Sequence, residues 1–136
     1  MNQIIVLGSS LEALQRAHAI LDEDISTKIT IYTEDAEPGF PDMEVFEEVD
    51  LEKSLSSMPD KWIGSIPGIV GRGGSSKVAY SWLCKAMAIR LAERGVQFQL
   101  RTSILDIDEE LGQISFRGGG RVPSGVDRYD ELHDFR

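Results

Sequence analysis

The residues with the clearest capacity for chemistry are Gly8, Ser9 and Ser10, which close the apolar run Ile4-Ile5-Val6-Leu7 and open a helical pattern. A strand-to-helix turn presents backbone N–H groups and the positive end of the helix dipole, a setting that favours phosphate. Gly8 allows a tight turn. Ser9 or Ser10 can cap the helix, and the Ser10 hydroxyl could instead donate to a phosphate. Thr33, Glu34 and Asp35 close a second apolar run. An acid in that position can accept the hydroxyls of a ribose, although acids are also common in loops after strands. No other residues suggest a catalytic or metal role. His18 has no nucleophile or carboxylate placed beside it by sequence and reads as a surface or boundary residue. Cys84, the single cysteine, lies in an apolar helical stripe and reads as an inert small hydrophobe. One cysteine forms no internal disulfide and no multi-cysteine metal site.

The elements that must position these residues form a βαβ unit. Gln3–Leu7 reads as a strand that is apolar on both faces, which suits a parallel strand covered by helices on each side. Leu11, Leu14, Ala17, Ile20 and Leu21 recur at helical spacing, and Ala13 sits where helix meets strand. Lys28–Thr33 is the second strand. The stretch 38–66 is an irregular acidic insertion, with turns at Pro38-Gly39 and Phe40-Pro41 and a short helix over 51–57. It reads as a solvated connector or as a partner-binding segment. Arg72-Gly73-Gly74-Ser75-Ser76 leads into the longest helix, about Lys77 to Arg94, which Gly95 ends. The period then changes to two: strands at Val96–Leu100, Ile104–Ile107 and Gln113–Phe116, the last two a hairpin. Gly118-Gly119-Gly120 and Pro123-Ser124-Gly125 read as loop and Tyr129–His133 as a final strand.

The totals bound the class. A chain of 136 residues suggests one domain, 1–136, able to build a core without disulfides or metal. Fourteen Lys and Arg against 23 Asp and Glu give a net charge of −9, which disfavours nucleic acid and anionic membrane as partners. Backbone N–H groups can still hold a nucleotide's phosphates. The apolar run ending at Gly8 is too short for a signal peptide or a membrane span, so the expected location is cytoplasmic.

This order of elements resembles the FAD-binding domain of the amine oxidase, phytoene desaturase and protoporphyrinogen oxidase superfamily. The segment from Gly73-Gly74 through Ile107 is similar to that family's glycine pair, long helix, glycine, strand and turn into a β-meander. Tyr129-Asp130 resembles the aromatic-Asp pair that opens the strand returning to the main sheet. The resemblance implies an α/β fold: a three-layer, Rossmann-like parallel sheet with helices on its faces and a small meander after the long helix. It implies that the family's three glycines fall on Gly8, Ser10 and Ala13, with Ser9 in the same turn. Thr33 or Glu34 would take the ribose position, and Gly73 and Gly74 would lie near the cofactor. Ser10 departs from the pattern, since its Cβ stands where the pyrophosphate approaches. The family's substrate domain has no counterpart in these residues.

Two functions follow as expectations. The chain is an FAD- or dinucleotide-binding domain, alone or completed by a protein partner or a second copy. Alternatively, it is a cofactor-free interaction or assembly module of the same descent. A flavodoxin-like receiver fits less well, because a hairpin follows the long helix.

Overall fold

A computed structural model describes residues 2–36, 62, 76–119 and 123–136, with only the helical backbone over 76–82. Its core is a parallel sheet. Strand β1 (Gln3–Leu7) is followed by helix α1 (Leu11–Glu23) and strand β2 (Lys28–Tyr32). Helix α2 (Ser76–Glu93) leads into β3 (Gln97–Gln99). An antiparallel meander follows, made of β4 (Thr102–Asp108), β5 (Gln113–Gly118) and β6 (Ser124–Arg128). Strand β7 (Glu131–Asp134) then returns to the first sheet. The parallel sheet has the order β3-β2-β1-β7, and the meander the order β4-β5-β6. The chain therefore steps outward from β1 to β2 and β3, then crosses to the other side of β1. That reversal is the topological switch point of a Rossmann-like sheet.

Side-chain alternation along β1 and β2 divides the core in two. Ile4, Val6, Ile29 and Ile31 face the helices and pack with Ala13, Leu14, Ala17 and Leu21 of α1 and with Leu83, Met87 and Leu91 of α2. Ile5, Leu7 and Tyr32 face the opposite way and pack with Ile114 and Phe116 of the meander. The three layers are thus helices, parallel sheet and meander. Among the described residues the second face of β1, read from sequence as helix-covered, is covered by the meander instead. Apolar residues on both faces of a strand report burial but do not say what buries it.

Local signals set the helix ends. The Ser10 side chain caps α1, accepting the Ala13 N–H at 3.3 Å. Helix α2 closes in a Schellman motif: Val96 N–H donates to the Leu91 carbonyl at 3.0 Å and Gly95 N–H to the Ala92 carbonyl at 3.1 Å. Gly95 supplies the required left-handed conformation, at φ 97°. Leu91 and Val96 share the helix-side core, the apolar contact that accompanies this motif. The hairpin forms as expected, with Ile107 opposite Ile114. Ser124 and Gly125, read as loop, begin β6, because Ser124 to Arg128 pair antiparallel with Gln113 to Arg117. The final strand is Glu131–Asp134, two residues later than its expected start. Tyr129-Asp130 precedes it, and the Asp130 carboxylate accepts the Gln3 N–H at 2.7 Å, tying the strand's entry to the start of β1. Among the described residues no helix is long and apolar enough to cross a membrane.

Candidate functional site

A cavity of about 550 Å³ opens at the C-terminal ends of β1, β2 and β7, where the sheet reverses direction. Ligands of open α/β sheets bind at this place, because two connecting segments leave the sheet edge in opposite directions. Its walls come from three parts of the chain: the β1–α1 turn with Gly8, Ser9 and Ser10, the β2 end with Tyr32 to Asp35, and the β7 end with Asp134 to Arg136. Thr102 and Ile104, at the start of the meander, close the fourth side.

Gly8 is fixed by the fold. Its φ is 103°, and a Cβ there would lie 3.2 Å from the Phe135 carbonyl oxygen. Its N–H donates to the Tyr32 carbonyl at 2.8 Å, extending the sheet ladder by one residue. Ser9 is buried. Its hydroxyl lies 3.0 Å from the Thr33 hydroxyl and donates to the Asp35 carboxylate at 3.2 Å, linking the turn to the end of β2. Asp35 is held in turn by its own N–H, which donates to the Thr33 hydroxyl at 3.1 Å. Glu34 lines the cavity and is exposed.

The expected site residues therefore divide. Gly8, Ser9, Ser10, Thr33 and Glu34 come together around one cavity, while Ala13 is fully buried where α1 meets the sheet. Gly73 and Gly74 lie outside the described residues. The sequence offers Glu34-Asp35 as the acids after β2 and the family resemblance gives the ribose position to Thr33 or Glu34, whereas the acid bonded to Ser9 is Asp35. Only the pairing of β1 with β2, Leu7 opposite Tyr32, brings that contact about. Sequence reasoning passed over Arg136 and Asp134. Arg136 Nε and Nη2 donate to the two Asp134 carboxylate oxygens, each at 3.0 Å. That pairing holds the Asp134 carboxyl below its usual value. Tyr32 is 1% exposed, and among the described residues its hydroxyl has no hydrogen-bond partner.

The residues suit parts of a dinucleotide. Glu34 and Asp35 can accept ribose hydroxyls, and the N-terminus of α1 turns its dipole toward the cavity. Ser10 reduces what that terminus offers, because its own side chain occupies the Ala13 N–H. Glu12 adds a negative charge in the first turn of α1. Arg136 supplies a cation on the cavity wall. Among the described residues no group of three His, Cys, Asp or Glu could hold a metal ion.

A second polar cluster lies away from this cavity, between α1 and α2. His18, expected as a surface or boundary residue, is fully buried. One ring nitrogen, Nε2, lies 3.2 Å from the Met87 carbonyl and the other, Nδ1, 2.9 Å from Arg94 Nη1. The carbonyl accepts and the guanidinium donates, so the neutral ring is protonated at Nε2. Trp62 stacks on it at 5.4 Å between ring centres and donates its indole N–H to Asp22 at 2.6 Å. Arg94 also pairs with Asp22 at 2.8 Å. The helical pattern misassigned His18 because its polar partners come from α2 and Trp62, distant in sequence.

Comparison with solved structures supports the fold. The myxobacterial chondrochloren halogenase, a variant of FAD-dependent halogenases, matches with a TM-score of 0.68 at 12% identity over 98% of this chain and 36% of that one. The water-forming NADH oxidase of Lactobacillus brevis, bound to NADH, matches at 0.62 and 13% identity over 98% and 24%. A pyridine nucleotide-disulfide family oxidoreductase from Enterococcus faecalis matches at 0.58 and 13% identity over 98% and 22%. No family model and no curated protein matches the chain by sequence. The fold is that of the Rossmann-like domain found in FAD- and NAD-dependent oxidoreductases, and the chain spans between about a fifth and about a third of these proteins' length.

Proposed function

We propose that this chain is a dinucleotide-binding domain that takes FAD in the cavity at the C-terminal ends of β1, β2 and β7. One observation carries the reading: the N-terminus of α1 and the acids Glu34 and Asp35 line the same cavity at the sheet's switch point. In that arrangement Glu34 and Asp35 hold the ribose hydroxyls, Gly8 shapes the turn and Ala13 lets the helix pack closely on the sheet. The bound flavin would supply the redox chemistry, while the protein binds and orients it. A substrate-binding part would come from a partner subunit, a second copy or further chain.

The test is titration with FAD, followed by flavin fluorescence and by thermal unfolding. Saturable binding is expected, with stabilisation of about 2.7 kcal/mol when FAD reaches a hundred times its dissociation constant. A melting temperature unmoved by FAD, NAD or ADP would refute the reading. That result would favour a cofactor-free interaction module, for which the capping of α1 by Ser10 is the supporting observation.

A further inference from the structure

We propose that Arg136 is the phosphate-contacting residue of the cavity, releasing Asp134 to grip the phosphate of a nucleoside diphosphate. The inference rests on the nucleotide-binding reading above and assigns a role to a residue that lies outside the glycine turn. Three observations lead to it.

Two N–H groups of the turn are already engaged: Gly8 N–H donates to the Tyr32 carbonyl, and Ala13 N–H to the Ser10 hydroxyl oxygen. The remaining lining is acidic, with Glu34, Asp35 and Asp134 on its walls, and among the described lining residues Arg136 is the one cation. Among the described residues, a phosphate entering without Arg136 would meet three carboxylates and no cation in the lining.

Arg136 is placed to compensate. Its backbone nitrogen would lie 3.6 Å from a Cβ added at Gly8, so it stands directly beside the turn. Its guanidinium already makes a two-pronged contact with a planar anion, Asp134. The same fork fits two oxygens of a phosphate. The exchange is feasible because the pair is open: the Arg136 and Asp134 side chains are 46% and 43% exposed. An exposed pair contributes little, and a released carboxylate regains its water.

Calorimetric titration with adenosine and with ADP separates the outcomes. The intact chain should bind ADP at least tenfold more tightly than adenosine. Arg136→Gln should weaken ADP about tenfold, the worth of a charge-assisted contact less that of an exposed ion pair, and leave adenosine unchanged. Arg136→Lys, keeping the charge but not the fork, should fall between. Asp134→Asn, which frees the guanidinium, should tighten ADP. The ADP advantage should also shrink with added salt. If Arg136→Gln leaves ADP binding intact, or weakens ADP and adenosine equally, the proposal is overturned while the nucleotide reading stands. If neither ligand binds the intact chain, that reading fails first and the proposal with it.

Discussion

Lowering the pH from 7 to 4 should destabilise this protein through His18 by an amount the structure sets. The His18 pKa is lowered from 6.5 to about 4: burial is the largest cause and Arg94 adds to it, while the Met87 carbonyl and Asp22 oppose the shift. In the unfolded chain the ring returns to its ordinary value. Above pH 6.5 both states are neutral and His18 gives no pH dependence. Between 6.5 and 4 the unfolded chain takes up a proton that the folded chain refuses, so stability falls as the pH falls. The folded pKa lies about 2.5 units lower, and half of the folded population is protonated at pH 4, so the loss reaches about 3 kcal/mol. The measurement is urea unfolding followed by far-UV circular dichroism at pH 7, 6, 5 and 4, on the wild type and on His18→Gln. Glutamine does not titrate, and Asp22 and the other acids are common to both chains. His18→Gln should be the less stable at pH 7, and the gap should close by about 3 kcal/mol by pH 4. Parallel curves would show that the imidazole is not held neutral between the helices, and the reasoning would fail.

Other substitutions address the turn and the core. Ser10→Ala removes the α1 cap and should cost about 1 kcal/mol in chemical denaturation, whereas Ser10→Gly should cost only about 0.3 kcal/mol. If the Ser10 Cβ restricts the approach of a pyrophosphate, Ser10→Gly should also tighten ADP in calorimetry; unchanged affinity would place the restriction elsewhere. Gly8→Ala forces a side chain into a left-handed conformation 3.2 Å from the Phe135 carbonyl, and unfolding experiments should find a loss of about 2 kcal/mol. Cys84 is fully buried in the helix-side core, so a thiol reagent should label it slowly in the native protein and rapidly in denaturant. Equal labelling rates would place the thiol at the surface.

Local patterns made the βαβ unit, the long helix and the hairpin legible from sequence. Apolar spacing marked α1, the change of period after Gly95 marked the end of α2, and Asp108 to Gly112 marked the turn of the hairpin. What escaped was decided by contacts between distant segments. Strand β6 begins Ser124-Gly125, which reads as loop, and exists because β5 offers it a ladder. His18 is polar and buried because Arg94, Met87 and Trp62 satisfy it from elsewhere in the chain. At the cavity the glycine turn pointed to Gly8 and Ser10. Asp35 and Arg136 gained their places only when β1 paired with β2 on one side and β7 on the other. A site assembled at strand ends is visible in sequence as separate turns. Its charge balance becomes visible only once the strand order is known.

The most direct test of the central claim is an ADP titration followed by backbone amide NMR of the intact chain. Saturable shifts should concentrate at Gly8 to Ala13, Thr33 to Asp35 and Asp134 to Arg136, the three segments that the sheet brings around one cavity. Shifts at the opposite end of the sheet, around Lys28, Gln97 and Asp127, or no shifts at saturating ADP, would contradict it.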